Sequence, residues 1–377
     1  GSNYHHLTVS NAGTKTLPAG TINIAGNLTI NAGPTLTANT NDPTINVTGN
    51  VTVAGTYAGS NNAARPLTIG GNLSVTGTYT GNGAPLNLAG NFTHSGTFTS
   101  GAGVFTFNGA AAQTLDGTAT NTTFTNLTMN NNAAFANRKL TINHDVTVNT
   151  LLTFNAAAGT GGRIVTSGTA KVVIPSTGNI TNASGSATES DFIAGRLQRF
   201  VAAGASTVVF PVGTDGAALP AAGYTPASLT FTGVGAGGGS LIVYVGTPLG
   251  DHPNIVTSGL DSAKSINRWW ALTTTGVTGT ALPAFTNYSA TFTFINPGDI
   301  DGGANTANFE IERWNGSAWN TTTVGTRTGT TTQATGITAL GEYAIAEKIP
   351  VIPDPGDFNA FETSTAGGST QPQRRAM

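Results

Sequence analysis

The pentapeptide Gly26-Asn27-Leu28-Thr29-Ile30 returns as Gly49-Asn50-Val51-Thr52-Val53, as Gly71-Asn72-Leu73-Ser74-Val75 and as Gly90-Asn91-Phe92-Thr93-His94. The steps are 23, 22 and 19 residues, and weaker echoes follow at Asn126-Leu127-Thr128-Met129 and His144-Asp145-Val146-Thr147-Val148. A unit this short cannot bury its apolar face alone and must stack on its neighbours. Each copy has a short alternating strand such as Thr44-Ile45-Asn46-Val47, a Gly-Asn turn, a second strand, and then Gly-Thr-aromatic: Gly55-Thr56-Tyr57, Gly77-Thr78-Tyr79, Gly96-Thr97-Phe98. Three short strands per repeat predict one rung of a parallel β-solenoid, with Ile, Val, Leu and Phe forming a continuous inner column.

The repeated Asn27, Asn50, Asn72 and Asn91 are expected at equivalent corners. Two reasons apply: Asn tolerates the left-handed turn conformation, and its amide can bond the Asn of the next rung as a ladder. Tyr57, Tyr79 and Phe98 are expected to stack likewise. The competing reading is an antiparallel meander with Gly-Asn hairpin turns, which does not require a near-constant spacing. Residues 7–185 give eight or nine rungs, interrupted by longer loops at 110–117 and 130–132. Stacked at sheet spacing, such a rod is about 40 Å long.

Charged residues are 8% of the 377, against about 25% in ordinary soluble proteins. The net charge of −2 excludes an electrostatic nucleic-acid binder and a polybasic membrane-surface protein. No apolar run is long enough to span a bilayer as a helix. Thr, Val, Ile, Phe and Tyr suit pleated sheets rather than disorder. Cys is absent, which removes disulfides, thiolate metal sites and Cys nucleophiles. The chain opens on Gly1-Ser2 without an initiator Met, which fits a cleaved signal peptide and a cloning remnant equally.

Composition shifts near residues 184–189: all four Trp and 14 of the 17 acidic residues lie from Glu189 onward. Eight longer strand candidates within 186–348 predict a β-sandwich, with Trp269, Trp270, Trp314 and Trp319 anchoring its core. The solenoid is therefore assigned to 1–185, the sandwich to 186–348, and a Pro-rich extended tail or linker to 349–377. The fold class is all-β.

The rungs and the run Thr123-Phe124-Thr125-Asn126-Leu127-Thr128-Met129 resemble the β-helical repeats of large secreted bacterial surface proteins. The second half, through Phe210-Pro211-Val212-Gly213-Thr214, Asn267-Arg268-Trp269-Trp270, Asp299–Asn305 and Gly336-Ile337-Thr338, resembles a module that often follows them. The stretch from Phe358 to Thr365 resembles the opening of a domain in adhesin-like pilus-biogenesis proteins. The resemblance implies an exported bacterial surface protein and supplies no catalytic residues.

A polysaccharide-acting solenoid needs two carboxylates roughly 5–10 Å apart. The rungs offer only Asp42, Asp116 and Asp145, and Asp42 and Asp145 stand about five rungs, over ~20 Å, apart. No enzyme is expected. His5, His6, His94, His144 and His252 show no metal-ligand spacing. One calcium pattern stands out: Asp299, Asp301 and Asn305 around a Gly turn, for which a plain Asx turn is the alternative.

The expectation is an extracellular structural protein, either a filament subunit or a rigid adhesin stalk; the alternative is a module gripping surface glycan through exposed aromatics. Head-to-tail self-association is expected through Leu7 and Val9 at one end and Ile349, Val351 and Ile352 at the other, because apolar edge strands accept one added strand.

Overall fold

The computed structural model describes residues 1–157, 159–185, 190–216 and 223–350. Nearly every element is a strand; among the described residues the only helical turns are three short 3₁₀ segments.

The first half is a parallel β-solenoid of about nine turns. A rung is built from three-residue strands such as Leu67–Ile69, Leu73–Val75 and Thr78–Thr80. Their alternation decides which way they face. In Leu73–Val75 the two apolar ends are buried and Ser74 points outward. Because every rung runs in the same direction, equivalent residues pair in register: Leu28, Val51, Leu73 and Phe92 form one column, Ile22, Ile45, Leu67 and Leu86 another. On the third side Tyr57, Tyr79 and Phe98 stack with ring centroids 5.2 and 5.3 Å apart.

The loops expected at 110–117 and 130–132 prove more ordered. Gln113–Asp116 is a strand of the second face. The buried Gln113 carboxamide donates to the carbonyls of Leu88 and Gly90 and accepts from the Gly109 amide. Asn131, also buried, donates to Ala111 O and Gln113 Oε1. Two amides thus satisfy the backbone that the insertion would otherwise orphan.

Beyond this point two faces share single long strands. Asp145–Phe154 carries Lys171–Ile174 on its first half and Asn179–Thr181 on its second. The ladders do not stop at residue 185, where the domain boundary was expected. Ile193–Ala194 and Val212–Gly213 continue the second face in parallel, and Arg196–Val201 pairs in parallel with Lys171–Ile174. On its other edge Arg196–Val201 pairs antiparallel with Gly239–Val245. One strand therefore belongs to both architectures, and a single 16-stranded sheet runs from Ser2–Tyr4 to Trp319–Thr321. An antiparallel sheet ordered Gly204–Phe210, Ala227–Val234, Tyr288–Thr293, Thr331–Ile337, Thr323–Arg327 packs against its far end.

Of the four Trp expected in the sandwich core, only Trp270 is there, fully buried against Phe292, which lies in turn on Tyr343. Trp269, the next residue along the strand, faces the other way by the alternation of the pleat. Trp269, Trp314 and Trp319 are half-buried around His252, with ring centroids 5.0, 6.0 and 4.7 Å from its imidazole. Any side chain at Gly246 would collide with the Trp269 indole.

A second tie joins the halves. Fully buried Arg163 in the rod donates to Asp215 and to the carbonyls of Phe135, Ala136 and Gly216, and Lys139 shares the same carboxylate. Burial of Asp215 acts to raise its pKa, but the two cations outweigh it and hold the carboxyl below its ordinary range. The main apolar cluster likewise reaches from Val9 to Ile345, with a small second one of Ile255, Leu260, Ala344 and Ala346 beside it.

A shared core predicts shared unfolding. All four Trp lie in the second half, so indole fluorescence reports that half alone. Leu73→Ala, at a buried position deep in the rod, should cost about 2–5 kcal/mol. We expect the fluorescence-monitored urea midpoint to fall together with the circular-dichroism midpoint; a fluorescence midpoint that stays put would show that the halves unfold separately.

Candidate functional site

The structure brings Asn27, Asn50, Asn72 and Asn91 to one edge of the rod, as a ladder of different chemistry from the one expected. Each Oδ1 accepts the main-chain N–H of its successor: Asn50 N to Asn27 Oδ1 at 2.9 Å, Asn72 N to Asn50 at 2.8 Å, Asn91 N to Asn72 at 2.8 Å, and Thr114 N to Asn91 at 2.9 Å. His6 Nδ1 plays the same part for Asn27 N at 2.9 Å. None of the four Asn has a positive φ, so the left-handed turn is not why Asn recurs. The preceding Gly is explained by crowding: a Cβ on Gly71 would stand 2.4 Å from Asn50 Oδ1 and 2.7 Å from the Gly49 carbonyl carbon. Gly makes room for the side chain that Asn supplies. An amide-to-amide ladder does exist on the neighbouring face, where Asn46 donates to Asn23 and Asn23 to Asn3 at 2.9 and 3.0 Å; the sequence reading missed it.

The calcium reading of Asp299, Asp301 and Asn305 meets groups already engaged. Asp299 is 1% exposed and takes both prongs of the buried Arg268 guanidinium at 2.8 and 2.7 Å, plus the Ile295 amide. Asp301 accepts from the Ser265 amide and hydroxyl and from Asn267 Nδ2. Asn305 Oδ1 caps the following turn through Ala307 N. The Arg268 guanidinium thus already neutralises Asp299, the first carboxylate of the pattern.

At the expected contact ends, Val9 is buried and Leu7 half-buried in the rung that ends the sheets. Ile349 donates its N–H to Gly259 O at 2.9 Å within its own sandwich, with its side chain exposed. Val351 and Ile352 lie outside the described residues.

Sequence reasoning also passed over a buried polar relay. His94 and His144, read as scattered, lie on either side of Thr122: Oγ1 is 2.8 Å from His94 Nδ1 and 2.7 Å from His144 Nε2. Donor counting orders the protons. The Gly96 carbonyl, 3.2 Å from His94 Nε2, can only accept, so that nitrogen carries the proton and Nδ1 accepts from the Thr122 hydroxyl. Thr122 then accepts from His144 Nε2–H, leaving His144 Nδ1 a bare acceptor, buried with no hydrogen-bond partner among the described residues. Burial pushes both imidazoles below their ordinary pKa; for His144, Asp116 and Asp145 pull the other way.

Next to His144 opens a groove of about 790 Å³, lined also by Asp145, Lys171, Arg196 and Thr275. Asp145, Lys171 and Arg196 stand on successive strands of the long sheet, with Lys171 ion-paired to Asp145. The Arg196 guanidinium carbon lies 4.3 Å from the Tyr244 ring centroid. No sequence spacing announces this set, because it is assembled by stacking.

Two outcomes follow. Asn50→Ala should cost about 0.5–1.5 kcal/mol, the net value of one hydrogen bond. Gly71→Ala should cost more, because the Gly49 carbonyl clash persists even in an Asn50→Ala background; urea titration of the two single variants and the double variant ranks them. For the His pair, a folded pKa below the unfolded value leaves stability intact above the ordinary imidazole value of about 6.5. Stability then falls as pH drops from there toward the lowered folded value. Chemical denaturation across pH 7.5 to 5 should show this loss, and His144→Asn should flatten it.

No family model, curated protein or solved structure matches this chain.

Proposed function

We propose that the chain is a structural module of an exported bacterial surface protein, a stiff rod that builds a stalk or filament by adding strands at its open end. The observation that carries this reading is the unbroken 16-stranded sheet, backed by the main apolar cluster, through which rod and sandwich form a single body. At the sheet spacing, nine steps of the solenoid give a rod of roughly 43 Å before the sandwich begins. The scarcity of charge and the absence of Cys suit close packing and an extracellular setting.

The chemistry of the end rung supports strand addition. Leu7 N–H and Val9 C=O bond inward, to Asn27 O and Asn31 N. Alternation then turns the Thr8 N–H and C=O to the open side. Tyr4, Leu7, Leu17 and Leu36, with Lys15 and Thr16, line a recess of mixed character beside that edge. An open edge beside such a recess is a template for another strand, and a repeated head-to-tail contact gives a filament.

Negative-stain microscopy and sedimentation across a concentration series test this. Elongated particles that join end to end as concentration rises are expected, and Thr8→Pro, which removes an outward donor while leaving the inward ladder, should abolish joining without lowering the melting temperature by more than a few degrees. Monomers at every concentration would refute the assembly.

A further inference from the structure

The groove at the meeting of rod and sandwich is lined by a cation, Arg196, that takes part in no ion pair among the described residues. Among the described residues no carboxylate or carbonyl receives the Arg196 guanidinium, although Lys171, its neighbour across the ladder, is ion-paired. Arg196 is held all the same: its amide donates to Thr166 Oγ1 at 3.0 Å and its guanidinium lies over Tyr244. A planar fork fixed in place with its donors free is preorganised for a carboxylate taken by two parallel hydrogen bonds. The walls add hydroxyl and amide groups. Asn143, Ser167, Thr169 and Thr275 line the groove, are exposed, and have no side-chain hydrogen bond within the described chain. A volume of about 790 Å³ is within the range of small-molecule sites, roughly 300–1,000 Å³, but a lining this polar suits a polyhydroxylated ligand rather than an apolar one.

We propose that this groove binds a uronic-acid-containing glycan, with the sugar carboxylate on Arg196 and ring hydroxyls on Asn143, Ser167, Thr169 and Thr275. Asp116 and Asp145 stand near His144, and Lys171 offsets Asp145, so the attraction is local to the Arg196 end of the groove. The site goes beyond the rod reading and does not need it: a chain that never assembles can still bind.

Isothermal titration with trigalacturonate and with its methyl ester tests the assignment on the full chain. The acid should bind, with the ester at least tenfold weaker, and Arg196→Gln should weaken the acid at least tenfold. Arg196→Lys, which keeps the charge and loses the fork, should weaken it several-fold, and raising salt from 0.05 to 0.5 M should weaken it further. Should Arg196→Gln unfold, the exposed pair Thr169→Val and Thr275→Val carries the test, with a several-fold loss expected. Absence of binding at millimolar acid, equal binding of the ester, or indifference to a folded variant would overturn the proposal.

Discussion

Everything in the rod depends on how closely one corner can sit on the next. Adjacent strands of a sheet are about 4.8 Å apart, and at the Gly-Asn edge the main chains are in register at that distance. Gly49 N bonds Gly26 O at 3.0 Å and Gly71 N bonds Gly49 O at 3.0 Å, while each Asn side chain reaches up to the next amide. No room is left for a Cβ on the Gly. The dipeptide is thus a single device in which one residue yields the volume that the other fills. Once it fixes the corner, the three-residue strands on either side need only alternate correctly to place Leu28, Val51, Leu73 and Phe92 in one column.

The same reasoning shows why the rod was legible in the sequence and much of the site was not. Asn27, Asn50, Asn72 and Asn91 announce themselves because a repeated corner demands a repeated residue. The relay of His94, Thr122 and His144 draws on successive turns at non-equivalent positions, so the repeat does not mark it. Arg196, Tyr244 and the shared strand Arg196–Val201 escape for a related reason: the repeat fades before the fold does, and the change from parallel to antiparallel pairing leaves no local mark on an alternating strand. The calcium pattern misled in the opposite sense. Spacing placed Asp299 and Asp301 on one turn, but Arg268, 31 residues away from Asp299, had already claimed the first of them.

Open sheets carry a liability at each edge. At the sandwich end the liability is resolved by conversion: a strand parallel to the rod on one side accepts an antiparallel partner on the other, and the ladder passes into a sheet covered by a second one. The buried Arg163, bonded to Asp215 and Gly216, ties the residues that follow Val212–Gly213 to the rod. Neither tie depends on the outer Trp cluster, which instead fastens a loop: Trp319 donates to Asn254 O at 2.8 Å, and His252 reaches Glu342 at 2.7 Å.

In-register stacking also accounts for the composition. Outward positions form columns as strictly as inward ones: Thr8, Thr29, Thr52, Ser74 and Thr93 stand in one line, and Thr56, Thr78 and Thr97 in another. A like charge repeated in such a column would meet its copy every ~4.8 Å, at roughly 0.9 kcal/mol per neighbouring pair even in water. Thr and Asn avoid that and, as Asn23 and Asn46 show, can turn the repetition into bonding. The low charge is therefore a property of the stacking before it is a property of any partner. Against that background two cation pairs face each other in register, Lys139 with Arg163 and Lys171 with Arg196, and each draws support from outside the pair. Asp215 takes both members of the first; in the second, Asp145 pairs with Lys171 and the Tyr244 ring lies against Arg196. A rod that excludes charge almost everywhere thus keeps its facing cations near the sandwich, and a groove opens beside the second pair.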